Sequence, residues 1–363
     1  MKVLAVGGAT IDTIVSIADG NIERMSLRNA DAAYLMLEVG RKSEAEDVSV
    51  HCGGGAVNAA VAMARLGHET SVLVKLGRDF RADVVLSRLA AEGIATLYSV
   101  RDERAATGTS VFVSAHDHNT AVIAFRGANA RLTSADLDAR AFAVDLVYVA
   151  ALSDNSADCF PEIVARAKSA GALVATNPGI RQLSTRLDAF RTTLGSVDIL
   201  SINRHEATML VPWLAAQAGP VTASREPETD LPDLARNGFA RNGWTMTLAD
   251  FCSSLNALGP RWVVVTDGRH GAYIGTQSGL THCPALPVEI IGTAGAGDAF
   301  NATFASFILM GASVDEAATA AAINSASVVT HLDTQTGLLR HEELASRIAK
   351  ERAGMRLRHW SYR

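Results

Sequence analysis

Cysteine is scarce in this chain, and its four copies (Cys52, Cys159, Cys252 and Cys283) stand far apart with no metal-ligand spacing. That argues against a disulfide framework or a zinc module and suits free thiols in a reducing, cytoplasmic compartment. Charge of one sign is also lacking. A formal net charge of −5 gives no electrostatic footprint for a nucleic-acid partner, and the one basic run, Arg352 to Arg363, reads as a solvated tail. No apolar run approaches the ~18 residues that a membrane span needs. Met1 to Val6 meets Gly7-Gly8 too soon to be a signal-peptide core. Internal repeats and low-complexity stretches are absent too. What is present is a 48% hydrophobic, 20% charged chain of 363 residues, enough for one large α/β domain with an appendage, or for two domains.

The most informative stretch is Gly292-Thr293-Ala294-Gly295-Ala296-Gly297-Asp298-Ala299-Phe300. Its small side chains let backbone amides turn outward together, and Phe300, Phe304, Phe307 and Ile308 then recur at helical spacing, so a helix is predicted from about Ala296. Such a helix start is an anion site. A carboxylate set into it, Asp298, reads either as a cap on the helix dipole or as a general base for a hydroxyl while the amides of Gly295, Ala296 and Gly297 hold a phosphoryl group.

Elsewhere, strands expected near Val3–Val6, Ser71–Leu76, Asp145–Ala150, Ala172–Asn177, Ile199–Ile202 and Trp262–Asp267 alternate with helical patterns. That rhythm predicts a doubly wound, mostly parallel sheet with helices on both faces. Asp12 follows the first strand, at the edge where such sheets bind ligands. Gly53-Gly54-Gly55 runs into an alanine-rich helix ending at Gly67, with Asn58 in its first turn as ligand contact or cap. Residues 13–50 read as β material, with Tyr34–Val39 and Val48–Cys52 as strands about a charged turn. Thr109–Ser114 and Ala121–Phe125 form a hairpin about His116-Asp117-His118-Asn119. Asn203 and Glu206, three apart after a strand, could organise a hydrated Mg²⁺ and phosphates or form a capping pair. Thr266, Gly268 and Gly271 mark a tight turn, and residues 214–250 a loop-rich excursion. Gly7-Gly8 could open a dinucleotide fingerprint, but no third glycine follows.

Taken in order, Gly53–Asn58 through Gly67, Gly127-Ala128-Asn129-Ala130, Asn203-x-x-Glu206, Thr266-x-Gly268-x-x-Gly271, Gly292–Phe300 and Gln335-Thr336-Gly337 resemble the motifs of the ribokinase-like (PfkB) carbohydrate and nucleoside kinases. The resemblance spans nearly the whole chain. It implies a single ribokinase-like domain over residues 1–363, with a β-sheet lid from about 13–50 and 105–127 that often dimerises. It implies an ATP-dependent kinase acting on a hydroxyl of a sugar or nucleoside. Asp298 would then be the base and Gly295, Ala296 and Gly297 the anion hole. Asn203, Glu206, Thr266, Gly268, Gly271 and Thr293 would serve the nucleotide, with Glu206 meeting Mg²⁺ through water. Asp12, Gly54 and Asn58 would bind the acceptor. The family usually has Asp where Gly292 stands, as part of a monovalent-cation site; Gly292 and Ala294 leave only backbone carbonyls for K⁺. Ribokinase itself has Lys where Gly55 stands, so ribose is one acceptor among several. A catalytically silent binding protein and, more distantly, a nucleotide-dependent oxidoreductase are the competing readings.

Overall fold

Val3-Leu4-Ala5-Val6 has no polar face, and a strand of that composition is stable only with both faces covered. In the computed structural model, which describes residues 1–17, 23–26, 33–36, 39–40, 42–114, 120–218 and 232–362, these four residues are fully buried in the interior of a ten-stranded sheet. The strand Lys2–Gly7 lies between Glu69–Gly77 and Leu146–Val149, parallel to both. The sheet continues in parallel through Leu173–Thr176, Ile199–Asn203 and Trp262–Thr266. It then turns antiparallel through Ala272–Thr276, Gly279–Cys283 and Arg358–Trp360. One apolar cluster fills each face of this sheet.

On one face the helix Gly55–Arg65 packs against Ala296–Leu309, which in turn packs on Val314–Val328. Alanines at 56, 59, 60, 62, 302, 305, 317, 318, 320 and 321 are buried, and their lack of bulk lets the helix axes approach closely. Phe304, fully buried between them, is the kind of side chain whose burial contributes about 1.5–3 kcal/mol. Among the described residues no helix is long and apolar enough to cross a membrane.

A second, four-stranded sheet stands apart in the order Ala45–Gly53, Thr10–Ile17, Gly108–Ser114, Thr120–Phe125. Its central strand, Thr10–Ile17, is absent from the sequence reading, which ends the first strand at Gly7-Gly8 and treats Asp12 as a loop residue. The chain instead turns at that glycine pair and re-enters a strand, so Asp12 sits on a pleat opposite His51 and Ser110. The expected pairing about the charged turn is also corrected. Ala45–Gly53 pairs with Thr10–Ile17, while Ala33–Met36 pairs with Glu23–Ser26 in a separate hairpin. Residues 115–119, with His116 and His118, lie outside the described residues. In the 214–250 stretch the helix Arg204–Ala218 runs on further than expected, residues 219–231 lie outside the described residues, and the hairpin Phe239–Arg241/Trp244–Met246 follows.

Candidate active site

Gly295 takes a left-handed conformation (φ 79°) that turns the chain into the helix Ala296–Leu309 with no side-chain cap. The first backbone bond of that helix runs from the Ala299 N–H to the Gly295 carbonyl. Among the described residues the amides of Ala296, Gly297 and Asp298 therefore have no backbone partner, and they form a positive helix end. Asp298, half-buried in the first turn, accepts a 2.8 Å hydrogen bond from Asn58 Nδ2.

Asn58 is not a cap: the helix Gly55–Arg65 has no side-chain cap, and the Asn58 amide instead spans two segments distant in sequence. Its Oδ1 accepts from Thr334 Oγ1 (2.9 Å) and Gln335 Nε2 (3.1 Å). Two donors on the oxygen leave the amide nitrogen for Asp298. Gln335 is held in turn, donating to the Cys52 carbonyl and accepting from Arg88 Nε. Sequence reasoning named Gln335 only as part of a family motif and missed Thr334 and Arg88. Contacts bridging more than 240 residues leave no periodic trace.

Burial pushes the Asp298 carboxyl up to about 6; the Asn58 bond opposes that shift and the charge of Asp12 adds to it. Asp12 is buried and also raised, chiefly by burial, and among the described residues its Oδ1 has no hydrogen-bond partner. There is little room for bulk here: a Cβ on Gly53 would sit 1.8 Å from Asp12 Oδ2, and one on Gly55 would sit 3.1 Å from Ala150 Cβ and in ordinary contact, at 3.5 Å, with Asp298 Oδ1. Asp12, Gly54, Asn58 and Asp298 are thus brought to one junction. Beside it lies a 110 Å³ pocket lined by Gly54, Gly55, Ser110, Arg126, Asn129 and Ser153, among others. Asn129, which clasps the backbone of Ala9 at both N–H and carbonyl, fixes the entry to the small sheet.

Across the helix end is a larger cleft of about 490 Å³. Thr266, Gly268, Gly271, Thr293, Ala296 and Gly297 all line it. Its apolar walls come from Leu286, Val288 and Ile290 and from Ala322 and Val329. Asn203 and Glu206 do not line this cleft. They form the capping pair: Glu206 N–H donates to Asn203 Oδ1 and Asn203 N–H to Glu206 Oε2. Glu206 is buried and raised to about 7 by desolvation, with the Asp298 charge adding to it. Among the described residues no three His, Cys, Asp or Glu side chains converge as a metal cage.

The pfkB family carbohydrate kinase model matches residues 24–223 and 238–341. The chain is 28% identical to the ribokinase of Bacillus subtilis over 269 residues, 73% of this chain and 76% of that one. It is 25% identical to a nucleoside kinase of Methanothermobacter thermautotrophicus over 288 residues, 79% and 81% of the two chains. Arabidopsis thaliana ribokinase, solved with ribose and ATP, superposes with a TM-score of 0.71 at 20% identity over 95% of this chain and 97% of that one. The carboxylate at an uncapped helix end, on a ribokinase-like fold, thus stands in a chain that belongs to the pfkB family of carbohydrate kinases, phosphotransferases that act on hydroxyl groups of sugars or nucleosides.

Proposed function

We propose that this protein is an ATP-dependent kinase in which Asp298 is the general base. The observation that carries the reading is the Asn58–Asp298 bond, which holds a carboxylate of raised pKa beside the unpartnered amides at the start of the helix Ala296–Leu309. The acceptor hydroxyl gives its proton to Asp298 as its oxygen bonds to the γ-phosphorus. The bond from that phosphorus to the β–γ bridging oxygen breaks, and ADP leaves. The amides of Gly295, Ala296 and Gly297 stabilise charge on the transferring group, which for phosphoryl transfer is the main catalytic demand. The 490 Å³ cleft would take the nucleotide, with Leu286, Val288 and Val329 offering apolar surface to a base and Thr293 lying at the helix end that would meet phosphates. Asp12, Gly54 and Asn58 hold the acceptor.

Asp298 and Glu206 are neighbouring acids with raised pKa values, a donor set that suits Mg²⁺ held by phosphates and water rather than by a protein cage. When bound, Mg²⁺ neutralises phosphate charge. An ADP-release screen over pentoses, hexoses and nucleosides tests the assignment. Saturable ATP binding without ADP release from any acceptor would favour the catalytically silent reading instead.

K⁺ stimulation is not expected. A Cβ on Gly292 would lie 2.9 Å from the His331 carbonyl and 3.1 Å from that of Leu332, and the Ile291 and Gly292 amides both donate to the Val329 carbonyl. The two loops therefore bond directly to each other at the position where the family usually carries Asp. Turnover in K⁺, Na⁺ and tetramethylammonium chloride at equal ionic strength should agree within about twofold; a tenfold stimulation by K⁺ would reverse the conclusion.

The small sheet would act as a lid over the acceptor, excluding water. Asp12 and Ser110 share its inner face. The register sets Val50, Thr13, Val111 and Ile123 in one row on the outer face, where Val50 is 61% and Ile123 67% exposed. An apolar row of that kind supports a homodimer formed through the lid. Light scattering should give twice the 38.2 kDa chain mass for the wild type, and a Val50→Lys/Ile123→Lys double variant should run as a monomer. A wild type that is monomeric at micromolar concentration would rule the dimer out.

A further inference from the structure

The acceptor pocket carries a cation that the kinase reading does not use. Arg126 follows directly on the lid strand Thr120–Phe125 and lines the 110 Å³ pocket together with Gly54, Gly55 and Ser153. Among the described residues its guanidinium makes no hydrogen bond and no ion pair. A second guanidinium is close by. Arg181 stands in the short helix Ile180–Thr185, whose preceding Gly179 abuts Ala151 of the pocket wall, and it reaches Asp154 at 3.8 Å. Asp154, held at φ 52°, follows Ser153 directly. Burial and Arg181 both lower the proton affinity of Arg126, and Asp154 only partly opposes them. Arg181 takes the one carboxylate there, leaving the Arg126 charge unpaired beside the space for the acceptor. Lysine or arginine on an ordinary surface is free to swing toward water. Here Arg126 is part of a pocket lining and feels the positive charge of Arg181, an arrangement that favours a bound anion.

Resting on the kinase reading, we propose that the acceptor is a sugar bearing a negatively charged group, phosphate or carboxylate, which Arg126 and Arg181 hold while a hydroxyl faces Asp298. A guanidinium pair takes either group bidentately, so the shared chemistry is an anionic oxygen fork. Neutral pentoses and nucleosides would leave Arg126 without a partner.

The test compares D-fructose 6-phosphate and D-gluconate as charged probes with D-ribose and D-fructose as neutral ones, in wild type, Arg126→Gln and Arg181→Gln. One charged probe should exceed the neutral ones by at least tenfold in kcat/KM, and which one does so separates phosphate from carboxylate. In Arg126→Gln the ratio of charged to neutral kcat/KM should fall by about 10- to 100-fold, through KM rather than kcat. An equal loss of kcat on every acceptor would assign Arg126 to the transferring phosphoryl group and overturn the proposal, as would a preference for neutral sugars that Arg126→Gln leaves intact. Calorimetric binding of the two charged probes decides the matter independently of turnover. If no acceptor releases ADP, the kinase reading falls by itself. If neither charged probe binds wild type more tightly than Arg126→Gln, the anionic acceptor falls even where neutral sugars are phosphorylated.

Discussion

Asp298→Asn is expected to lower kcat by about 10²–10⁴-fold, the usual contribution of a positioned base, while ATP binds as in the wild type. The amide is nearly isosteric, and its oxygen can still accept from Asn58 Nδ2, so the junction should keep its shape. Only the proton acceptor is lost. In the wild type the base must be ionised. With Asp298 raised to about 6, kcat/KM should climb as pH rises through about 6 and level off above it, and the residual activity of the variant should lack that limb. The same shift has a stability consequence. A carboxyl whose folded pKa lies above its unfolded value favours the folded state most when protonated. That contribution is present below the unfolded value of 3.8 and is lost as pH rises through about 6. At neutral pH the charged Asp298 therefore costs stability, and Asp298→Asn should be more stable than wild type by about 1–3 kcal/mol in urea unfolding at pH 7.5. A variant with wild-type turnover would remove Asp298 from the chemistry. A destabilised variant with low turnover would show a structural carboxylate instead.

Gly54→Ala is expected to damage both stability and catalysis. Gly54 precedes the helix Gly55–Arg65 at φ 95°, and its carbonyl accepts the Asn58 N–H. A Cβ there would meet the Gly8 carbonyl oxygen at 2.5 Å and the Ala9 Cα at 2.7 Å. Both are backbone atoms, so no rotamer can relieve the clash. The left-handed strain of about 1–2 kcal/mol and overpacking of about 1–3 kcal/mol add to a loss of about 2–5 kcal/mol. Any shift that accommodates the methyl also moves Asn58 away from Asp298, so kcat/KM should fall at least about 100-fold. Gly67→Ala supplies the control. It has a similar φ of 91° but nothing within 4 Å, so it should cost only about 1–2 kcal/mol of strain and spare catalysis. Equal effects at the two glycines would mean that backbone strain alone, and not the close approach to Gly8, governs position 54.

The parallel sheet was legible because its strands are unbroken apolar runs and a helix between them carries its own stop, at Gly67. The helix start at Gly295 was legible for the same local reason: small residues followed by phenylalanines at helical spacing. Thr10–Ile17 escaped because Gly7-Gly8 looks like a strand end, and only three-dimensional pairing with Gly108–Ser114 shows that the chain resumes. Asn203 and Glu206 offered two readings, and the geometry realises the capping pair. Thr334 and Gln335 could not be read from local pattern at all, since their meaning lies in an amide 276 and 277 residues away.

That amide also sets when the chain becomes able to work. The bond from Asn58 to Asp298 closes over 240 residues, and the groups that orient Asn58 come later still, at 334 and 335. A ribosome that has released the first two hundred residues has made most of the parallel strands but not Asp298, the proposed base. Nascent chains and C-terminally clipped fragments should therefore be unable to waste nucleotide, because reactivity arrives together with the last third of the polypeptide.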